Sequence, residues 1–399
     1  MSLLDKVSLV VTPNAVKASK LYSVIPADGA GDLTAVRNTT ATRVNSLRLI
    51  ESVAANVPRL NYDTVGGAPS VLLEPQRTNL VTFSEDYGSS NWRKLQAGTG
   101  AIPTVVINNA ISPDGTLNAD TVSFGDAPTG SQSIINQLPT LAAGTYTFSA
   151  YLKSTTAGTK IIIRNGNTNL LLTLSTEYVR YILTVTSAAG GVEAGFKHQP
   201  SEGTVNGAVF QVWGAQLELG SFATSYIPTT TSSVTRNQDT ISKTGISDLI
   251  GQTEGVFFLE TKSLSNDNTN RQISISDGTA NNTIIIGYGA SDNQLSLVLR
   301  QGSSTIFQSF PSITNALVMN KIALSYKSGN IGVFVNGVKI ITNTSIFTYP
   351  SNTLTTLGFD FGNGANRYSG SIKELQLYKT QLTDDECILL TSTSYASFE

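Results

Sequence analysis

The sequence predicts an all-β protein: two β-sandwich (jelly-roll) domains that follow a short, irregular N-terminal segment. Three observations predict it. Charged residues make up only 14% of the 399-residue chain, against about 25% in an average soluble domain. Ser, Thr, Asn and Gly take their place, and these suit turns and the solvent faces of strands, where helices would favour Glu, Lys and Ala. Short apolar runs that alternate with polar residues recur at even spacing, separated by Gly, Asn and Ser. Hydrophobic residues reach 40%, enough for each of two or three domains to bury its own core.

Residues 1–80 are the least regular. Thr12-Pro13-Asn14 and Asp28-Gly29-Ala30-Gly31 are turn signals, with one short strand between them over 18–25. Residues 41–50, ATRVNSLRLI, alternate as a half-buried strand does. This segment has too few long apolar runs for a large core and is expected to lean on a partner, either other copies of itself or a larger assembly. Residues 81–230 form the first sandwich, with strands over 145–152, 160–164, 169–174, 179–185 and 208–214. Residues 225–238, SYIPTTTSSVTRNQ, are polar and proline-containing and read as a connector. Residues 239–399 form the second sandwich, with strands over 256–261, 272–276, 283–288, 295–299, 321–326 and 331–335. Asn336-Gly337 then signals a type I′ hairpin into 338–341, and 370–378 looks like the closing strand. Thr383-Asp-Asp-Glu386 fits a capping box ahead of one short helix over 387–390.

Net charge is −2 with no basic stripe, which sets nucleic-acid binding aside. A single cysteine, Cys387, excludes an intrachain disulfide framework. One His and one Cys leave a structural zinc site almost without ligands, while calcium held by Asp, Asn and backbone carbonyls stays open. The N-terminal 20 residues lack the charge pattern of a signal peptide, and no window approaches the ~18 apolar residues of a membrane span. The expectation is a chain made in the cytoplasm, unprocessed and not inserted in a membrane.

One stretch stands apart. Residues 69–80, PSVLLEPQRTNL, crowd an acid, a proline, an arginine and an asparagine into six positions of a chain with few charges. A catalytic cluster, a solvated loop and a structural clasp all fit that composition. A catalytic cluster needs a second acid or base close by, and the sequence around it supplies none. The clasp is the preferred reading: Glu74 and Arg77 as an ion pair around Pro75, Asn79 satisfying open backbone groups, and Arg59 as a second donor. The stretch would then act as a hinge between the N-terminal segment and the first sandwich.

Residues 56–63, NVPRLNYD, a Gly-rich turn and residues 72–80, LLEPQRTNL, together resemble a signature of tailed-bacteriophage fibre and head-spike proteins. The resemblance continues through Phe83-Ser-Glu85, Trp92, 112–116 (SPDGT), Ala119-Asp120, 213–220 (WGAQLELG), 224–229 (TSYIPT), Val234-Thr-Arg236 and Asp239, covering roughly residues 41–240. The last third resembles a laminin-G-like, concanavalin A-like jelly roll, through Val335-Asn-Gly-Val338 and the 370–386 ending. The resemblance implies a structural virion fibre of head or tail, its N-terminal segment serving attachment and oligomerisation. Its central sandwich would be similar to a carbohydrate-binding module. The implied partners are sister chains in a homo-oligomer, as a trimer, the capsid or tail proteins, and a glycan of the host surface or surroundings. The implied location is the virion. A polysaccharide-degrading tailspike and a freestanding bacterial lectin or adhesin are the alternatives.

Site residues follow from that reading. Trp92, among Ser89, Ser90, Asn91, Arg93 and Lys94, would offer a ring face to a sugar, whereas Trp213 lies inside an alternating strand and reads as core. His198, between Lys197 and Gln199-Pro200, reads as an exposed loop residue within reach of a ligand. Asp277 with Asn282, Asp292, and Asp360 with Asn363, Asn366 and Tyr368 are loop clusters of oxygen ligands: Asp, Asn and Gly there simply make turns, or a glycan or calcium sits among them. No catalytic residue is expected. A triad is not credible with one histidine in a Gln-Pro loop, and no long β-helix repeat of the kind common in phage depolymerases is present.

Overall fold

The strand Glu254–Ser263 sends Phe257 and Leu259 to one side and Val256 and Phe258 to the other, and both sides are buried. Period-2 alternation with apolar residues on both faces marks a central strand covered twice. The computed structural model that shows this describes residues 2–62 and 67–395, so Asp63 and Gly66 of the signature lie outside the described residues. The chain divides into two compact units, one of residues 1–40, 53–75 and 237–399, the other of 41–52 and 76–236.

In the first unit, Glu254–Ser263 pairs with Asn320–Lys327 and with Gly370–Tyr378. The sheet runs on from Asn320–Lys327 through Ile331–Val335 to Val338–Asn343 at one edge. The expected hairpin is there: Asn336 and Gly337 both take positive φ, 49° and 84°, as a type I′ turn requires. A nine-stranded sheet faces it, with Thr283–Tyr288, Leu295–Gln301, Arg271–Ser276 and Thr240–Thr244 among its strands. Ile273, Ile275, Ile284, Ile286, Leu297 and Leu299 from this sheet meet Phe257, Leu259, Ile322 and Leu324 from the other in one core. The helix Asp384–Thr391 packs Cys387 and Leu390 on Val256, Phe258 and Phe334, the opposite face. Its start is the expected capping box: Thr383 Oγ1 accepts from the Glu386 amide, and Glu386 Oε2 accepts from the Thr383 amide. A one-turn helix over Leu3–Lys6, not expected from the sequence, precedes the first strand.

The sequence expects residues 1–80 to be a separate segment and 225–238 a connector. Neither description fits the structure. Val7–Val11 pairs with Gly370–Tyr378, Leu33–Val36 with Thr240–Thr244, and Ser70–Leu73 with Gly370–Ile372. Leu9, Val11, Leu33, Ala35, Val71 and Leu73 belong to the first unit's core. Too poor in apolar runs to build a core alone, these strands extend the sheets of the C-terminal sandwich. The partner they need is the last third of the same chain. In the second unit, Val234–Arg236 pairs with Arg77–Asn79, and Tyr226 and Ile227 are buried.

The second unit is a sandwich of two five-stranded sheets. One orders Arg93–Ala97, Gln132–Gln137, Ala194–His198, Lys160–Asn165 and Thr168–Thr173; the other orders Thr104–Ile111, Leu117–Ser123, Val209–Leu219, Gly144–Lys153 and Val179–Ser187. Phe148, Leu152, Ile161, Ile163, Phe196 and Phe210 fill the space between them. Trp213 faces the other way, into a small cluster with Ile50, Ala110, Ala119 and Tyr226, so it is core as expected. The strand Thr104–Ile111 has no counterpart among the sequence expectations, because its apolar residues do not mark a buried face: Val106, Ile107 and Ile111 are exposed.

Candidate functional site

The stretch 69–80 divides between two structural networks. In the first unit, Ser70–Leu73 is an inner strand that delivers Glu74 into the interior, and Arg59 arrives from the adjacent strand Arg59–Asn61. Arg59 Nη1 donates to Glu74 Oε2 at 2.6 Å, while Nη2 pairs with Asp239 Oδ2. The same Asp239 oxygen accepts the Glu74 amide at 2.9 Å, and Asp239 Oδ1 accepts from Arg37 Nη1 at 2.8 Å. Arg37 is held in turn by the carbonyls of Thr39 and Ala54. Two arginines against two carboxylates make a neutral, buried cluster. Burial opposes the Arg59 charge, but the Asp239 and Glu74 carboxylates more than offset it and raise its pKa. The clasp is present with different members: Glu74 pairs with Arg59, not Arg77, and Arg37 and Asp239 complete it.

Asn79 anchors the second network. Fully buried, it donates from Nδ2 to the carbonyls of Ala215 and Ile227 at 3.0 and 2.8 Å. Its Oδ1 accepts the amides of Val81 and Leu217, both at 3.1 Å. All four bonds of one amide side chain thus tie three segments together. Around it, Gln216 Oε1 accepts the Ile227 amide, Glu218 accepts the Thr224 amide and hydroxyl, and the Ser84 hydroxyl meets that of Tyr226. Glu85 accepts from Tyr226 at 2.9 Å and from Asn118 at 3.1 Å, so both its oxygens serve structure. Sequence reasoning missed Arg37, Glu218 and Tyr226 as lock residues, although 213–220 and 224–229 carry the last two within the signature.

Three of the candidates are closed to solvent. Trp92 is 0% exposed, stacked on Tyr87 at 4.3 Å between centroids, with Nε1 donating to the Phe83 carbonyl at 2.9 Å. Its polar neighbours stay outside while the ring turns in, so it has no face to offer. His198 is not in a loop. It ends the strand Ala194–His198, fully buried, with Nδ1 and Nε2 each 2.7 Å from Thr204 Oγ1 and Asn206 Oδ1. Tyr368 is also buried and donates to the Lys262 carbonyl at 2.9 Å.

The Asp and Asn loops of the first unit are partly brought together. A Cβ on Gly362 would lie 2.6 Å from the Thr279 carbonyl, so the loops holding Asp277 and Asn282 and holding Asp360 and Asn363 touch. Asp292 sits beyond the far end of the six-residue strand Thr283–Tyr288, out of reach of them. Asn366 donates to Gln272 Oε1 at 2.9 Å. Asp277 Oδ1 accepts from the Thr279 amide and hydroxyl and Oδ2 from Asn282; burial pushes its pKa up, but these bonds outweigh it and hold it below the ordinary carboxylate value. Asn282 Oδ1 accepts from Gly302, Asp360 from Gly362 and Asn363 from Ala365. Calcium takes roughly 6–8 oxygen ligands, and several of these oxygens already accept hydrogen bonds from neighbouring turns. No group of three or more His, Cys, Asp or Glu is poised for a metal among the described residues. We propose that these loops hold no calcium: EDTA should leave the thermal midpoint unmoved, and a calcium-dependent rise in that midpoint would contradict this.

What the second unit does present is an open cleft of about 430 Å³, formed by the end of the 69–80 stretch, the turn before Gly144 and the end of the strand Val209–Leu219. Leu80, Leu141, Tyr146 and Leu219 give it an apolar wall; Arg77, Thr78 and Thr140 add donors and hydroxyls. Arg77 is the one member of the expected clasp that faces open space.

Residues 261–387 match the family model Laminin_G_3, the concanavalin A-like lectin/glucanases superfamily. No curated protein matches the sequence. Among solved structures, the chain is similar to the CBM40 of the Ruminococcus gnavus IT-sialidase bound to α2,3 sialyllactose, at 21% identity over 36% of this chain and 84% of that one, with a TM-score of 0.31. It is similar also to domain 4 of AbnA, a GH43 extracellular arabinanase from Geobacillus stearothermophilus in complex with arabinotriose, at 16% identity over 44% and 84% with a TM-score of 0.32. A SAP-like pentraxin from Limulus polyphemus gives 17% identity over 36% and 71%, with a TM-score of 0.28. The strands and two-layer core described above agree with the family match: residues 261–387 are similar to a concanavalin A-like jelly roll.

Proposed function

We propose that the chain binds glycans without cleaving them, as a structural fibre on the head or tail of a tailed-bacteriophage virion. The observation that carries the binding half is the open cleft of the second unit. Its volume of about 430 Å³ falls in the roughly 300–1,000 Å³ range of small-ligand sites. Its leucine wall suits the C–H face of a sugar ring, and Arg77 and the threonines suit its hydroxyls. The lectin-type jelly roll at 261–387 supports the same reading. The virion half rests on the resemblance of residues 41–240 to phage fibre and head-spike proteins. The structure gives the signature residues Arg59, Glu74, Asn79, Tyr226 and Asp239 interior positions in bonding networks, and that favours a folding role for the signature over a catalytic one.

A fibre multiplies weak sites through symmetry, so single contacts of low affinity suffice when several copies engage together. The reading is that sister chains assemble as a trimer and dock on capsid or tail proteins. Light scattering after size exclusion should then give a mass near ~127 kDa, three times the chain mass of 42.3 kDa. A monomer would overturn the trimeric fibre. Incubation with capsular or cell-wall polysaccharide should release no reducing ends; release would establish the tailspike alternative instead.

A further inference from the structure

We propose that the Arg77 cleft of the second unit selects sugars that carry a carboxylate. This deepens the glycan-binding reading and rests on it. Among the residues lining the cleft, Arg77 is the only charged one, and the Glu218 carboxylate beside it does not line the cleft. The arginine is set in place before any ligand arrives. Its guanidinium lies 5.2 Å over the Phe222 ring, and it lies flat on Gly220, where a Cβ would fall 2.6 Å from Nη2. Nη1 donates to the Gln76 carbonyl at 3.1 Å, which fixes one edge of the fork.

Its nearest carboxylate does not use it up. Glu218 lies 3.7 Å from Arg77 Nε, beyond hydrogen-bond length. That carboxylate is already supplied by the Thr224 amide and hydroxyl at 2.8 and 2.6 Å and by Gln216 Nε2 at 2.6 Å. The guanidinium is therefore oriented by an acid and an aromatic ring, yet retains donor capacity. Its side chain is 18% exposed and borders the cleft. An oriented arginine edge is the group best suited to a planar carboxylate, with two parallel N–H donors. Leu219, 55% exposed beside it, supplies an apolar surface for the ring that bears the acid. A sugar acid of the uronic type combines both features, whereas a free inorganic anion has no use for the leucine wall.

The test is saturation-transfer NMR and titration of the full chain with glucuronic acid and with glucose, which share a ring and differ at the acid. Glucuronic acid should bind about tenfold more tightly than glucose, and the difference should shrink as salt is raised. Arg77→Gln should reduce glucuronic acid to the level of glucose. Thr140→Trp, at an exposed position on the cleft lining, should block both sugars with the fold intact by circular dichroism. Equal affinity of the wild type for the two sugars overturns the selectivity. Binding that survives Thr140→Trp overturns the cleft as the site while leaving glycan binding in place. Failure of glucuronic acid, glucose and the wider polysaccharide panel to bind at all overturns both proposals.

Discussion

Arg59→Met is expected to cost the folded chain about 3–5 kcal/mol, the usual penalty for removing one partner of a buried ion pair. The side chain is 0% exposed, and its loss leaves Glu74 and Asp239 facing one another with Arg37 as the remaining nearby cation. Water cannot relieve that repulsion, since both acids are under 10% exposed. The cost reaches beyond the pair because the cluster joins distant parts of the chain. Arg37 and Arg59 come from the N-terminal strands, Glu74 from the end of Ser70–Leu73, and Asp239 from the start of the C-terminal region. Urea unfolding followed by far-UV circular dichroism checks the loss. The double variant Arg59→Met/Glu74→Met should be less destabilised than the sum of the two single variants, because the second change removes the charge that the first one stranded. Additive losses would mean that the two residues do not act as a pair.

Asn79→Leu is the second large effect. Leucine matches the volume but strands two amides and two carbonyls, those of Val81, Leu217, Ala215 and Ile227. At about 1–3 kcal/mol for each buried group left without a partner, the loss should be about 4 kcal/mol or more. Both tryptophans, Trp92 and Trp213, lie in the cores of this same unit, so their fluorescence reports the transition. The neighbouring Thr78 is the control. Its hydroxyl meets that of Thr235 on the exposed side at 2.8 Å, and Thr78→Ala should change stability by no more than about 0.5 kcal/mol. Comparable losses at 78 and 79 would show that the stretch acts as a generic strand and not through the Asn79 side chain.

Local patterns were legible and distant pairings were not. Gly144–Lys153, Glu254–Ser263 and Gly370–Tyr378 alternate plainly, Asn336-Gly337 needs positive φ twice, and Thr383 with Glu386 forms a reciprocal cap; each signal is complete within about ten residues. Nothing near Val7–Val11 says that it pairs with Gly370–Tyr378. A weak apolar run looks the same whether its partner is a sister chain or the far end of its own. Trp92 and His198 were misplaced for a related reason. Ser, Asn, Arg and Lys around Trp92 describe the chain's solvent side, whereas the ring's position is set by Tyr87 and the Phe83 carbonyl. The polar surroundings of His198 hide a strand that holds both ring nitrogens. The cleft was illegible altogether, because Arg77, Thr140 and Leu219 meet only after three separate segments have folded. The signature itself could be read as structural, yet not which arginine takes Glu74.

The decisive measurement for glycan recognition is affinity electrophoresis of the native chain in gels cast with acidic and with neutral bacterial polysaccharides. Retardation that grows with the concentration of acidic polysaccharide, and that free glucuronic acid competes away, is the expected result. Migration unchanged across every polysaccharide would contradict a glycan-binding function for this chain.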